Sequence, residues 1–155
     1  MTATPARPRA AVIGAGIGGL ATALSLDEIG LAVEVFDAVG EVRPLGVGIN
    51  LLPHAVRELD AMGLLDELAA RAVAPVQLLY CTRRGQEIWR EPRGRAAGYP
   101  WPQLSIHRGV LQEVLLQTVR RRLGAGAVRL GRRLVRMDVD VPRPVAVFED
   151  GAVEA

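Results

Sequence analysis

The sequence predicts an α/β fold that opens on a βαβ unit, and three features of its 155 residues lead to it. A short apolar run at 10–13 breaks into Gly14-x-Gly16-x-x-Gly19 and resumes with apolar residues at helical spacing. Beyond residue 75 the period shortens to the alternation of strands. Clusters of Gly and Pro separate the segments throughout.

Taken in order, residues 10–14 read as a strand and 17–29 as a helix offering Leu20, Ala21, Ala23 and Leu24 for packing. Gly30 stops that helix, and a second strand at 32–36 delivers the chain to Asp37. Residues 38–50 form a Gly- and Pro-rich loop, long for a compact domain and therefore a binding candidate. Pro53 suits the first turn of a helix whose Ala55, Val56, Leu59 and Met62 share one face. Gly63 breaks it, and 64–73 resume as a second short helix. Segments 76–82 and 87–91 flank Arg83-Arg84-Gly85-Gln86 as a β-hairpin. Residues 92–102, with Pro92, Gly94, Gly98, Pro100 and Pro102, are expected to be irregular. A strand at 103–106 then enters a helix at 109–123, which Gly124 and Gly126 end, and strands follow at 128–130, 134–141 and 144–148. The expected order is βαβ, helices, β-hairpin, βαβ and β-meander, which is α/β with antiparallel additions. Residues 1–9 have no apolar core of their own and are expected to be a disordered tail before one domain at 10–155.

Composition narrows the function. Half the residues are hydrophobic and 23% are charged, as in globular domains. The net charge is +2, all 19 basic residues are Arg, and no nucleic-acid-binding motif accompanies them, so no nucleic-acid partner is expected. Arg120, Arg121 and Arg122 close a helix, where cations suit the macrodipole. Cys81 stands alone, which forbids an intrachain disulfide, fits a reducing compartment and leaves no zinc pattern. No signal peptide or membrane span is expected, because glycines interrupt the apolar N-terminal stretch before it reaches membrane length. A cytoplasmic location follows as the expectation.

The glycine spacing suits phosphate chemistry. The first Gly permits a tight turn, the second lets backbone approach a diphosphate, and the third lets the helix pack on its strand. The chain contains no lysine, which excludes a Walker A loop. Asp37 follows Gly14 by roughly 20 residues, the interval expected for a ribose-binding acid. Glu34 competes, but it lies within the strand, whereas ligands of such sheets bind beyond strand ends. The other use of Asp37 would be a loop-initiating Asx turn.

Several separate segments, in order, carry a family likeness: the glycine fingerprint, Glu41-Val42-Arg43-Pro44-Leu45-Gly46-Val47-Gly48-Ile49-Asn50, Pro53-His54-Ala55-Val56-Arg57, Glu91-Pro92-Arg93-Gly94 and Ser105-Ile106-His107-Arg108-Gly109. Together they resemble the N-terminal part of the FAD-dependent aromatic-ring monooxygenases, the flavoprotein hydroxylases related to p-hydroxybenzoate hydroxylase. Within that family they look most like the phenazine-modifying enzymes acting on 5-methylphenazine-1-carboxylate. The likeness covers nearly the whole chain.

The resemblance implies a Rossmann-like FAD-binding domain in which Gly14, Ala15, Gly16, Ile17, Gly18 and Gly19 face the FAD diphosphate. Asp37 would hold the adenosine ribose, one methylene shorter than the usual Glu. Gly46, Val47 and Gly48 would pass beside the flavin, Arg108 would contact FAD, and the main chain of Leu134 would meet adenine. It also implies a small aromatic substrate, with NAD(P)H as reductant and O2 as oxidant. The flavin carries that chemistry, so no catalytic or metal-binding side chain is assigned. His54 and His107 are minor candidates beside the flavin, and Trp89, Tyr99 and Trp101 serve either a substrate pocket or loop anchoring. In the family a substrate domain follows, so the expectation is a domain truncated before it, with autonomous catalysis in doubt. An exposed sheet edge would then invite self-association or a C-terminal partner half. The alternative is a non-catalytic dinucleotide-binding fragment.

Overall fold

The apolar run forms β1 (Arg9–Ile13), which pairs in parallel with β2 (Ala32–Phe36) from Arg9↔Ala32 to Ile13↔Phe36. The connection is α1 (Ile17–Glu28), whose Leu20, Ala23 and Leu24 are buried. The structure is a computed structural model and describes residues 7–43 and 46–154. Residues 1–6 of the expected tail lie outside the described residues, whereas Arg7 and Pro8 are held: Arg7 Nε donates to the Gly30 carbonyl at 2.9 Å and Ala32 N–H donates to the Pro8 carbonyl at 2.8 Å.

The chain divides into two compact units, Met1–Arg43 with Leu115–Ala155, and Pro44–Val114. In the first, β7 (Val128–Arg129) adds to β2 in parallel, giving the order β1-β2-β7. Glu34, mid-strand in β2, is tied to Arg9 of β1 at 3.1 Å and also to Arg129 of β7, which spends it on the sheet. A second sheet is the antiparallel meander of β8 (Leu134–Asp138), β9 (Val145–Phe148) and β10 (Gly151–Glu154). Phe36 and Phe148 meet with ring centroids 4.7 Å apart and, with Ala146, form a core on which Leu134, Ala11 and Val153 pack.

The second unit pairs β3 (Gly48–Leu51) with β6 (Leu104–His107) antiparallel, from Gly48↔His107 to Leu51↔Leu104. Between them run α2 (Pro53–Ala61), α3 (Leu65–Ala69) and the hairpin of β4 (Gln77–Cys81) with β5 (Glu87–Pro92). Then α4 (Arg108–Leu123) begins directly after β6. Both α1 and α2 end in a Schellman motif. Gly30 and Gly63 take φ of +92° and +71°, while Leu31 and Leu64 donate back to Leu26 and Leu59.

Five details differ from the sequence reading. The loop after Asp37 ends earlier, because Gly48–Leu51 finds a partner strand in β6. The helix expected at 64–73 stops at Ala69, and Val73 instead bridges Ser105. The irregular segment holds one 3-10 turn, Gly94–Ala97. The segment β6–α4–β7 is not a second βαβ unit, since β6 pairs with β3 and β7 with β2. Finally, Gly151–Glu154 completes the meander as a third strand. Among the described residues, no helix is long and apolar enough to cross a membrane.

Candidate functional site

The three fingerprint glycines do three different things. Gly14 has φ +108°, a conformation closed to most residues, and its N–H donates to the Phe36 carbonyl at 2.6 Å, stitching the turn to the end of β2. A Cβ at Gly19 would collide with the Gly14 carbonyl oxygen and stand 3.4 Å from Val12, so α1 can lie on β1 only with glycine there. A Cβ at Gly16 or Gly18 would meet nothing within 4 Å. Gly16 is the N-cap of α1 in extended conformation, with no side-chain cap and no acid in the first turn. The helix therefore supplies no anionic side chain of its own to its positive end. Ile17 opens the helix beside it.

Asp37 meets this turn. Its Oδ2 accepts the Ala15 N–H at 2.6 Å and its Oδ1 accepts the Val39 N–H at 2.9 Å, the latter an Asx turn. Each carboxylate oxygen keeps a further lone pair. The main chain of Asp37 is fixed as well, to Arg129 at 3.0 Å and Arg132 at 2.8 Å. In the same unit Leu134 starts β8 opposite Phe148, its side chain spent on the aromatic core. The spacing signal found Asp37 but not its bond to Ala15.

In the second unit the structure brings Gly46, Val47, Gly48 and Arg108 together. Arg108 N–H donates to the Val47 carbonyl at 3.1 Å, and a Cβ at Gly46, where φ is +134°, would lie 3.2 Å from Arg108 Cβ. Val47 is 73% exposed, an apolar side chain held in solvent. His107 organises this corner: its Nδ1 accepts the Gly109 N–H at 3.1 Å, so Nε2 carries the proton and donates to the Gly46 carbonyl at 3.0 Å. A histidine directly before a helix start was the signal for that capping role. Pro44 and Leu45 of the same motif lie outside the described residues.

The remaining candidates separate. Trp89 stays on the hairpin against Tyr80, with ring centroids 5.8 Å apart. His54, Tyr99 and Trp101 line one cleft of about 470 Å³, together with Arg57, Arg93 and Gln103. The Trp101 indole N–H donates to Asp60 Oδ2 at 2.9 Å, so anchoring and pocket lining coexist in that residue. Among the described residues no group of three His, Cys, Asp or Glu stands together as metal ligands.

No protein-family model matches the chain. It is 52% identical over 124 residues to phenazine 1,6-dicarboxylic acid hydroxylase PhzS of Lysobacter antibioticus, covering 79% of this chain and 30% of the relative. It is 33% identical over 152 residues to 6-hydroxynicotinate 3-monooxygenase of Bordetella bronchiseptica, covering 96% of this chain and 38% of that enzyme. Among solved structures, Klebsiella pneumoniae HpxO complexed with FAD and uric acid superposes with a TM-score of 0.78 at 26% identity, over 96% of this chain and 37% of that one. The chain thus spans about a third of the length of these relatives. The homologues are FAD-dependent aromatic hydroxylases, and the chain is similar to an amino-terminal part of them.

Proposed function

We propose that the chain is the FAD-binding amino-terminal portion of a flavin-dependent monooxygenase that hydroxylates an aromatic, phenazine-like substrate with NAD(P)H and O2. The observation that carries this reading is Gly16: the protein itself leaves open the space its side chain would fill, at an uncapped helix N-terminus. A glycine kept where nothing in the chain crowds it fits a backbone approached by a diphosphate. The phenazine hydroxylase relative supports the substrate class, and the FAD complex of HpxO supports the cofactor.

In this reading Gly14, Ala15, Gly16, Ile17, Gly18 and Gly19 hold the diphosphate, with backbone N–H groups as donors. Asp37 accepts a ribose hydroxyl on a lone pair left free by Ala15 and Val39. The Leu134 main chain meets adenine. Gly46, Val47 and Gly48 give the flavin a backbone wall without bulky side chains, and Arg108 contributes a cation whose place is set by Val47 and Gly46. Bound FAD would supply the two-electron redox chemistry and oxygen activation that no side chain here offers. His107 keeps the Gly46 carbonyl and the start of α4 in register by holding its proton on Nε2. Residues 10–155 then form part of an FAD-binding domain.

Reconstitution tests this. The purified chain with excess FAD gives a shifted flavin spectrum, and Gly16→Glu, which places a carboxylate in the open space, removes it. An unshifted spectrum for the parent chain sinks the reading. Strands β1 and β10 each pair along one side among the described residues, and either offers a surface for a second copy or a C-terminal half. A monodisperse monomer on size-exclusion chromatography counts against self-association.

A further inference from the structure

The hairpin of β4 and β5 stands in solvent on both faces, and its two edges are built differently. Arg93 N–H donates to the Val76 carbonyl at 2.9 Å and Thr82 N–H to the Gln86 carbonyl at 2.8 Å, so Leu78 and Tyr80, of the same parity, turn their backbone groups toward β5. Alternation then points the N–H and C=O groups of Gln77, Leu79 and Cys81 outward. Among the described residues, no second strand pairs with β4 on that side.

The outer edge of β5 carries the devices that keep sheet edges from pairing. Pro92 offers no outward N–H, Ile88 is the extra residue of a bulge, and Glu87, Arg90 and Glu91 bring charge. The strand β4 has none of these. From Ala72 to Thr82 there is no charged side chain, and within β4 Leu79 is 41% and Tyr80 53% exposed. A two-stranded hairpin is marginal in water by itself, so an unguarded neutral edge beside exposed rings calls for a further strand.

We propose that β4 pairs antiparallel with β4 of a second copy of this chain, with Leu79 on the two-fold axis. Only residues whose backbone groups face outward can exchange hydrogen bonds, and centring on Leu79 engages all of them: Leu79 opposes itself, and Gln77 opposes Cys81 of the second copy. The side chains agree with this register. Tyr80 falls opposite Leu78 of the second copy, which carries the Tyr80–Trp89 ring pair, with centroids 5.8 Å apart, across the axis as a continuous apolar strip. Arg83 and Arg84 fall opposite Pro75 and Ala74, so no like charges meet. Parallel in-register pairing would instead set each of these arginines on its own copy. The combined sheet runs β5-β4-β4-β5 and closes after two copies, because the guarded β5 lies at each end. The inference draws on the hairpin alone and not on the flavoenzyme reading.

Sedimentation velocity of the full chain, without FAD, tests it. The parent chain sediments as a dimer that dissociates on dilution. Leu79→Lys sets two ammonium groups against each other on the axis and weakens the dimer by about tenfold, a lost apolar pair added to a like-charge pair. Leu79→Glu does the same with carboxylates. An equimolar mixture of the two variants regains the dimer, because Lys then faces Glu, and a variant that merely failed to fold could not be rescued in this way. Ile88→Lys, on the guarded strand, leaves dissociation unchanged. A parent chain that stays monomeric at every concentration overturns the proposal. So does a dimer that survives Leu79→Lys, which would place the contact on another edge, and so do Lys and Glu variants that remain apart when mixed.

Discussion

The different duties of Gly16 and Gly19 make a pair of alanine substitutions decisive. At Gly16 the backbone has φ −74° and ψ 176°, open to any residue, and the new methyl meets nothing within 4 Å. Restricting the unfolded chain favours alanine by about 0.4–1 kcal/mol. The N-cap preference for glycine opposes it by roughly the same amount. The two offset, so Gly16→Ala shifts stability by less than about 0.5 kcal/mol. At Gly19 the methyl meets a backbone oxygen of Gly14, which no rotamer change can move aside. Overpacking of this kind costs about 3 kcal/mol, and better helix propensity returns about 1 kcal/mol. The net loss of about 2 kcal/mol lowers the thermal midpoint by about 4–8 °C in a chain of this size. Melts followed by circular dichroism read both variants against the parent. Should Gly16→Ala fall as far as Gly19→Ala, the fingerprint would be a packing turn throughout, and the space beside Gly16 would carry no argument for a ligand.

Three further outcomes follow from the same contacts. Asp37→Ala strips the acceptors from the Ala15 and Val39 N–H groups and costs about 2 kcal/mol in urea denaturation, while Asp37→Asn, which keeps one acceptor, costs about half that. Phe148→Ala removes the ring stacked on Phe36 and costs about 3–5 kcal/mol in the same assay; a loss below about 1 kcal/mol would show that the meander contributes little to the core. The Glu87 carboxyl, hydrogen-bonded to the Arg90 guanidinium, titrates below the ordinary glutamate value. A depressed folded-state value means the pair stabilises above the ordinary pKa and is lost as pH falls through the lowered one. The group is exposed, so its NMR titration is displaced while global stability changes little, and Arg90→Gln returns it toward normal.

The first βαβ unit was legible because local chemistry dictates it. Apolar alternation placed β2 at Ala32–Phe36, and Gly30 and Gly63 terminated their helices as glycines at C′ positions do. What the sequence hid was pairing at a distance. Nothing local shows that Gly48–Leu51 pairs with Leu104–His107, or that β6 and β7, on either side of α4, join different sheets. Strand partners are chosen by tertiary packing, which period and propensity do not encode. At the candidate site the glycines and Asp37 were readable from spacing. The bond from Ala15 to Asp37, and the burial of Gln103 under Gly94, depend on close approaches that only coordinates reveal.

The stack of Phe36 on Phe148 also has a meaning in time. Phe36 ends β2 early in the chain, and its ring partner is made only after the whole second unit. At ribosomal speeds of about 5–20 residues per second, Phe36 waits on the order of ten seconds for that partner. During this interval β1, α1 and β2 are already synthesised, with one aromatic face bare. The yield of folded protein should therefore respond to translation rate and to holdase chaperones more than to the pairing strength of β1 with β2.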